Sequence, residues 1–372
     1  MNRRNKAIAA ACLLLLLDVP VKAEADIPQL SAAAAVVLEM NTGKVMGAKN
    51  AHTRLPMAST TKVMTAILAL ENTSLDETIT VSKEAFGVEG SSMYLELGEQ
   101  LSMRDVLYGL MISSGNDAAV AIAMHIDGSV EAFAERMNEK AKKLGLTNTH
   151  FVTPNGLHDE NHYTTAYDLA VISAYAMRNE EFCKLVSTRS YTTQTGNKTR
   201  VLNNRNKTLR QYEGGNGVKT GYTSDAGKCL VFAALRDGMQ LVGVVLRSGD
   251  TYGDAFSLLD HGFSNYSMKT VIRKGQVVDY ARIGNGKKNS LALCAQRDIM
   301  IPARADEKLS LRTQIQRDAL LQAPIEDGQN CGELCLMEEG RIIARTELYA
   351  AQSVARTDIW DYYFRCLRDW SA

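Results

Sequence analysis

The sequence predicts an α/β domain over residues 30–265 and a small β-rich domain over residues 268–350. Two observations carry that division. Up to about Phe263, apolar runs of strand length alternate with segments whose apolar residues recur at helical spacing. After about Ser267, only short alternating runs remain between Gly, Asp and Asn turns, as in Leu291-Ala292-Leu293-Cys294 and Glu333-Leu334-Cys335-Leu336-Met337. The length of 372 residues agrees, since a chain of that size divides into roughly two domains.

In the first domain, Ala34-Ala35-Val36-Val37-Leu38 reads as a strand, Thr42-Gly43 as a turn, and Lys44-Val45-Met46-Gly47 as the start of the returning strand. Residues 59–71 read as a helix, with Val63, Met64, Ile67, Leu68 and Leu70 in a broad apolar stripe. Helices follow at 105–111 and 117–125, interrupted at Ser113-Ser114-Gly115-Asn116. Residues 131–144 form an amphipathic helix ended by Gly145, and 165–178 another. Strands are expected at 217–220, 229–235 and 240–246, with a closing helix at 256–263.

Composition narrows the function. Lys+Arg and Asp+Glu are both 42 and aromatics are 6%. Neither a bulk positive field nor a base-stacking surface is present, so no nucleic-acid partner is expected. Arg3, Arg4 and Lys6 precede an apolar run at 7–17, and Ala23-Glu24-Ala25 offers small residues for cleavage. Residues 1–25 therefore read as a secretory signal; the run falls short of the ~20 residues a spanning helix needs. Beyond it lie Cys183, Cys229, Cys294, Cys331, Cys335 and Cys366. On a strand Cys331 and Cys335 are about 13 Å apart, too far to pair with each other, and buried thiols are favoured over disulfides.

Three short motifs carry chemistry. In Ser59-Thr60-Thr61-Lys62, positions i and i+3 of a helix share a face. A serine hydroxyl needs an adjacent base. A lysine one turn away can take its proton if burial and a second cation lower the amine's pKa. Backbone N–H groups at the helix start face the developing oxyanion. Ser114-Gly115-Asn116 reads either as a capping turn or as a second wall, with Ser114 relaying a proton and Asn116 holding a substrate amide. Lys219-Thr220-Gly221 reads either as an edge strand entering a turn or as a substrate strand. There Lys219 gives positive charge, Thr220 a hydroxyl for a carboxylate, and Gly221 room for the backbone to approach the substrate closely. Each motif alone occurs often by chance; the three in this order form a known set.

With the flanks Pro56-Met57-Ala58, Asp117-Ala118 and Gly217-Val218, and with Asn155-Gly156-Leu157-His158 and Tyr163-Thr164-Thr165-Ala166, the chain resembles a family. This is the low-molecular-mass penicillin-binding proteins, the D-alanyl-D-alanine carboxypeptidases related to penicillin-binding protein 5. The resemblance covers nearly all of the chain after the signal. It implies a β-lactamase/transpeptidase-like α/β fold: an antiparallel sheet flanked by helices, an all-helical part, and a C-terminal β-sandwich. It implies that Ser59 attacks the carbonyl between two D-alanines of a peptidoglycan stem peptide, with Lys62 as base. Ser114 and Lys219 would pass the proton to the leaving D-Ala, and Asn116 would orient the peptide. Thr220 and Lys219 would bind the terminal carboxylate beside Gly221, and the N–H groups of Ser59 and Tyr222 would hold the oxyanion. β-Lactam antibiotics would acylate the same serine; no cofactor or metal is implied.

Two departures stand out. Tyr222 replaces a common His, at a position where only the backbone is needed. The Arg that relatives often carry before the last helix is missing from Asp250-Thr251-Tyr252-Gly253-Asp254, which leaves Arg247 as a candidate substitute. A β-lactamase would need a deacylating carboxylate in a Glu-x-x-Leu-Asn string, and none occurs. A cross-link endopeptidase and a wall-binding scaffold stay open. His158 and His162 have metal-pair spacing, but Gly156, Asp159 and Asn161 make the segment a loop.

In the tail, 356–372, Ile359, Trp360, Tyr363, Phe364, Leu367 and Trp370 fall on one helical face, and the chain's 2 Trp are both here. Such a helix can lie on the outer face of the cytoplasmic membrane or dock on the β-domain.

Overall fold

The computed structural model describes residues 27–361, 363 and 370. The expected signal, Cys366, and Phe364 and Leu367 of the tail lie outside the described residues. The chain divides into two compact units, Met1–Asn265 and Tyr266–Ala372.

The first unit opens with β1 (Ala34–Glu39) and β2 (Val45–Lys49). A 3₁₀ turn at Ala58–Thr61 leads into α1 (Lys62–Asn72). The short strands β3 (Thr78–Thr80) and β4 (Gln100–Ser102) precede α2 (Met103–Ile112), α3 (Asn116–Asp127), α4 (Val130–Lys143), α5 (Ala166–Ala176) and α6 (Glu180–Ser187). Then come β5 (Ser190–Thr195), β6 (Lys198–Asn203) and the single turn α7 (Thr208–Gln211). The unit closes with β7 (Gly215–Thr223), β8 (Gly227–Arg236), β9 (Met239–Leu246) and α8 (Thr251–Asn265).

Local chemistry sets these boundaries. The hydroxyls of Ser102, Ser129 and Thr165 accept from the backbone N–H three residues on, capping α2, α4 and α5. α3 stops at Gly128, whose φ of 74° suits glycine.

The sheet runs β2-β1-β9-β8-β7, antiparallel throughout. Every residue of β1 and β9 is buried. Because successive side chains point to opposite faces, these strands are covered on both sides, and α5 and α8 both pack against them. Helix α1 buries Val63, Met64, Ile67 and Leu68 in a core shared with Val36, Leu38, Val242 and Val244 of the sheet. β7 is an outer strand, and the 3₁₀ turn before α1 packs on it.

The sequence places one helix over 59–71; its first turn is 3₁₀, entered through Ala58 at φ 48°. The closing helix starts at Thr251, five residues before the apolar stripe begins. α6 and the β5–β6 hairpin were not anticipated. The hairpin pairs Ser190–Thr195 with Lys198–Asn203, yet only Thr193 and Leu202 are buried, so it shows no apolar alternation.

The second unit holds β10 (Ser267–Ile272), β11 (Val277–Gly284), β12 (Ser290–Ala295), β13 (Ile299–Ala303), β14 (Leu311–Gln316), β15 (Leu320–Gln322), β16 (Asn330–Glu338) and β17 (Arg341–Ala350). They form a six-stranded sheet, β14-β16-β17-β12-β11-β15, and a two-stranded sheet, β10-β13. Ile272, Ile299 and Ile301 of the small sheet share one core with Leu293, Leu334, Leu336 and Leu348 of the large one. That is the sheet-on-sheet packing expected of a sandwich. None of the five described cysteines is in a disulfide.

Candidate active site

The 3₁₀ turn at Ala58–Thr61 brings Ser59 and Lys62 together. Side chains at i and i+3 of a 3₁₀ turn nearly eclipse, and Lys62 Nζ stands 2.9 Å from Ser59 Oγ. Nζ also lies 2.7 Å from Asn116 Oδ1 and 2.8 Å from the Asn155 carbonyl oxygen. Both of these oxygens can only accept. A neutral amine has two N–H bonds and one lone pair. With the two N–H bonds given to Asn116 and Asn155, the lone pair is left for the Ser59 hydroxyl proton.

Electrostatics favours that neutral form. Burial holds the Lys62 ammonium well below its ordinary pKa, and the nearby Lys219 lowers it further against the opposing pull of Asp117. Lys219 is itself buried, and burial alone lowers it to about 7. Its Nζ donates to the Thr220 carbonyl, 2.9 Å away.

Asn116, at the first position of α3, is buried. Its Oδ1 takes the Lys62 proton bond and its Nδ2 donates to the Glu89 carbonyl at 2.5 Å. The sequence suggests a substrate contact for Asn116; its side-chain amide here bridges Lys62 and the Glu89 carbonyl. Ser114 is half-buried with φ 61°, and its hydroxyl is not hydrogen-bonded to Ser59, Lys62 or Lys219. Next to it, Asp117 accepts from Ser92 Oγ at 2.6 Å, Met93 N at 3.1 Å and Leu95 N at 3.0 Å, which ties the 92–95 loop to the start of α3.

On β7, Thr220 pairs with Leu230 and Gly221 with Cys229. A Cβ on Gly221 would sit 3.1 Å from the Ser59 and Thr60 nitrogens and 3.2 Å from the Met57 oxygen. The sequence predicts a close approach of Gly221 to substrate; the approach the structure shows is to the 3₁₀ turn that holds Ser59. Tyr222 is 68% exposed, and its side chain stands clear of that turn. Arg247 directly follows β9, and its Nη2 donates to the Asp225 carbonyl, 2.7 Å away in the β7–β8 turn. Ser248 N bonds Lys228 O, and Lys228 pairs with Tyr222, so Arg247 stands about level with Tyr222 along the sheet.

The residues the sequence reading left without roles come from the 152–162 loop. Asn155 contributes a carbonyl to Lys62 and Pro154 one to Thr65 Oγ1. Gly156, at φ 84°, passes so close that a Cβ would lie 2.0 Å from the Ala58 oxygen. Carbonyls and glycines leave no chemical signature in sequence; only the Asn155-Gly156 pair hinted at them. The histidines at metal-pair spacing part company. His162 is buried against Thr61, while His158 lies 3.8 Å from Asp225. Among the described residues no group of three His, Cys, Asp or Glu could hold a metal.

Residues 21–249 match the D-alanyl-D-alanine carboxypeptidase family, and residues 266–356 match the C-terminal domain of penicillin-binding protein 5. The chain is 33% identical to the D-alanyl-D-alanine carboxypeptidase DacF of Bacillus subtilis, over 91% of this chain and 90% of the relative. It is 34% identical to DacA of Haemophilus influenzae, over 90% and 89%. Among solved structures, penicillin-binding protein 5 of Haemophilus influenzae superposes with a TM-score of 0.68 at 32% identity, over 89% of this chain and 100% of that one. With Ser59 and the buried Lys62 assembled beside β7 at the matched motifs, the chain belongs to the D-alanyl-D-alanine carboxypeptidase family and is a serine carboxypeptidase of that class.

Proposed function

We propose that Ser59 is the acylated residue and that the substrate is a peptidoglycan stem peptide ending in D-Ala-D-Ala. The observation that carries this is the three-way hydrogen bonding of Lys62, which leaves its lone pair for Ser59. Ser59 Oγ bonds to the carbonyl carbon of the penultimate D-Ala as its proton passes to Lys62 Nζ. The carbonyl oxygen becomes an oxyanion held by the N–H groups of Ser59 and Tyr222. As the C–N bond breaks, the proton gained by Lys62 passes by way of Ser114 and Lys219 to the leaving amine, which leaves Lys62 neutral again. Water then attacks the ester carbonyl as Lys62 takes its proton; the bond to Ser59 Oγ breaks, Oγ recovers that proton from Lys62, and the shortened peptide leaves. A Lys219 lowered to about 7 can hold or release a proton at neutral pH, and with Thr220 it faces the terminal carboxylate.

The protein acts outside the cytoplasm, with residues 1–25 as its export signal and the tail as its contact with the outer face of the cytoplasmic membrane. Ile359, Trp360, Tyr363 and Trp370 are 78%, 65%, 54% and 92% exposed, which supports a surface-seeking tail. No described helix is long and apolar enough to cross a membrane.

Intact-mass spectrometry after brief exposure to benzylpenicillin tests the reading. A single adduct on the peptide bearing Ser59, with D-Ala release from a pentapeptide, is expected. Destruction of the drug without an adduct would mean a β-lactamase; intact drug without an adduct would leave a silent scaffold. Arg247→Ala is expected to raise KM for the pentapeptide several-fold while leaving kcat nearly unchanged, as loss of an exposed carboxylate contact should. An unchanged KM would remove Arg247 from the carboxylate site.

A further inference from the structure

A buried imidazole behind the nucleophile has no part in the steps above. His162 is 3% exposed. Its Nδ1 lies 3.0 Å from Val152 N and 3.3 Å from Thr153 N. Backbone amides only donate, so Nδ1 accepts and the ring hydrogen is on Nε2. Nε2 is 2.8 Å from Thr61 Oγ1, and the single hydroxyl hydrogen of Thr61 goes to the Ala58 carbonyl oxygen at 2.8 Å. Every hydrogen is thereby assigned, and the bonds run one way: Val152 N–H to His162, His162 to Thr61, Thr61 to Ala58. Burial lowers the imidazole pKa to about 4, with Asp159 opposing and His150 and His158 adding to the shift. The neutral tautomer therefore persists at neutral pH.

The chain ends on an unusual peptide unit. Ala58 has φ 48° without being glycine, a conformation that persists only where surrounding contacts impose it. The peptide unit that carries the Ala58 oxygen also carries the Ser59 N–H. It is planar and trans, so the two bonds point in opposite directions. Fixing the oxygen aims the N–H.

We propose that His162 and Thr61 are positioning residues whose hydrogen-bond chain aims the Ser59 N–H at the oxyanion. This deepens the proposed function and rests on Ser59 being the acylated residue.

The test measures the benzylpenicillin acylation rate constant and the preceding dissociation constant separately, with the melting temperature, for Thr61→Val, Thr61→Ser, His162→Leu, His162→Gln and the Thr61→Val/His162→Leu pair. Thr61→Val should slow acylation about tenfold or more, since one misaimed oxyanion donor costs up to about 10²–10³. The dissociation constant should move less than about twofold, as a defect confined to the transition state requires. Thr61→Ser should recover most of that loss. His162→Gln should recover most of what His162→Leu loses, because an amide also offers a donor and an acceptor. The double variant should be no slower than the slower single one, as for residues acting in one chain. Folded Thr61→Val acylating within twofold of wild type, or losses that add, would overturn the proposal. If Thr61→Val fails to fold, the His162 pair decides: equal rates for Leu and Gln overturn it. No adduct on wild-type Ser59 overturns the Ser59 reading and this one with it. An adduct on the wild type with undiminished Thr61→Val overturns the positioning alone.

Discussion

Lys62→Met is expected to lower the acylation rate of Ser59 by about 10²–10⁴-fold, the range for losing a positioned general base. The pH profile carries the sharper signature. A base works only unprotonated, so acylation by the wild type should rise with pH through the Lys62 pKa and then level off. Because burial and Lys219 hold that pKa well below its ordinary value, the rise should fall below the usual lysine range. In Lys62→Met the residual rate should lose this rise. In Lys219→Met a positive charge that depresses Lys62 disappears, so the rise should move to higher pH. Stopped-flow acylation with a chromogenic β-lactam measures all three curves. An unchanged profile in Lys62→Met would remove Lys62 from the base role.

How much of this was legible in sequence differs from residue to residue. Ser59, Lys62 and Lys219 are reactive side chains in recognisable strings, and the structure sets Lys62 against Ser59 and Lys219 near enough to Lys62 to lower its pKa. β1, β8 and β9 were legible because a strand covered on both faces is a continuous apolar run. The β5–β6 hairpin was not, because most of its side chains face solvent and only backbone pairing holds it. Asn116 was legible as a polar group in a cleft, but not as the acceptor for Lys62, since an amide's partner depends on a fold the string does not encode. The Asn155 carbonyl was invisible because every residue has one. His162 stood out by type, and its loop setting outweighed the metal-pair spacing to His158; which partner it takes, Thr61, depends on the fold.

Gly156→Ala should be the most damaging change outside the three motifs. Its φ of 84° is strained for any side chain, and the new Cβ would lie 2.0 Å from the Ala58 oxygen and 2.7 Å from Thr61 Oγ1. The first contact is with backbone, which cannot rotate away as a side-chain tip can. Strain and overpacking together cost roughly 3 kcal/mol or more. The loop must retreat to relieve them, drawing the Asn155 carbonyl away from Lys62. Expected are a melting temperature lower by several degrees and an acylation rate lower by more than tenfold in the fraction still folded. Gly196→Ala, also at positive φ but with open space around its Cβ, serves as the control and should cost only the backbone strain. Equal losses in the two variants would show that the close approach at Gly156 has no consequence.

The order of strands has a consequence for how the molecule comes to exist. β1 is paired on one side with β2, a few residues away, and on the other with β9, roughly two hundred residues later. The strand that opens the fold therefore waits for the one that nearly ends the first unit. Such distant partnerships are slow to find, because a long loop must close before any contact rewards it. β7, on which the nucleophile turn rests, joins the sheet only through β8 and β9. A chain interrupted between residues 220 and 239 would carry Ser59, Lys62, Asn116 and Lys219 and still lack β9, through which β7 joins the sheet. Competence to react is therefore expected to arrive late in folding, and copies truncated before β9 should be inert toward substrate and antibiotic alike.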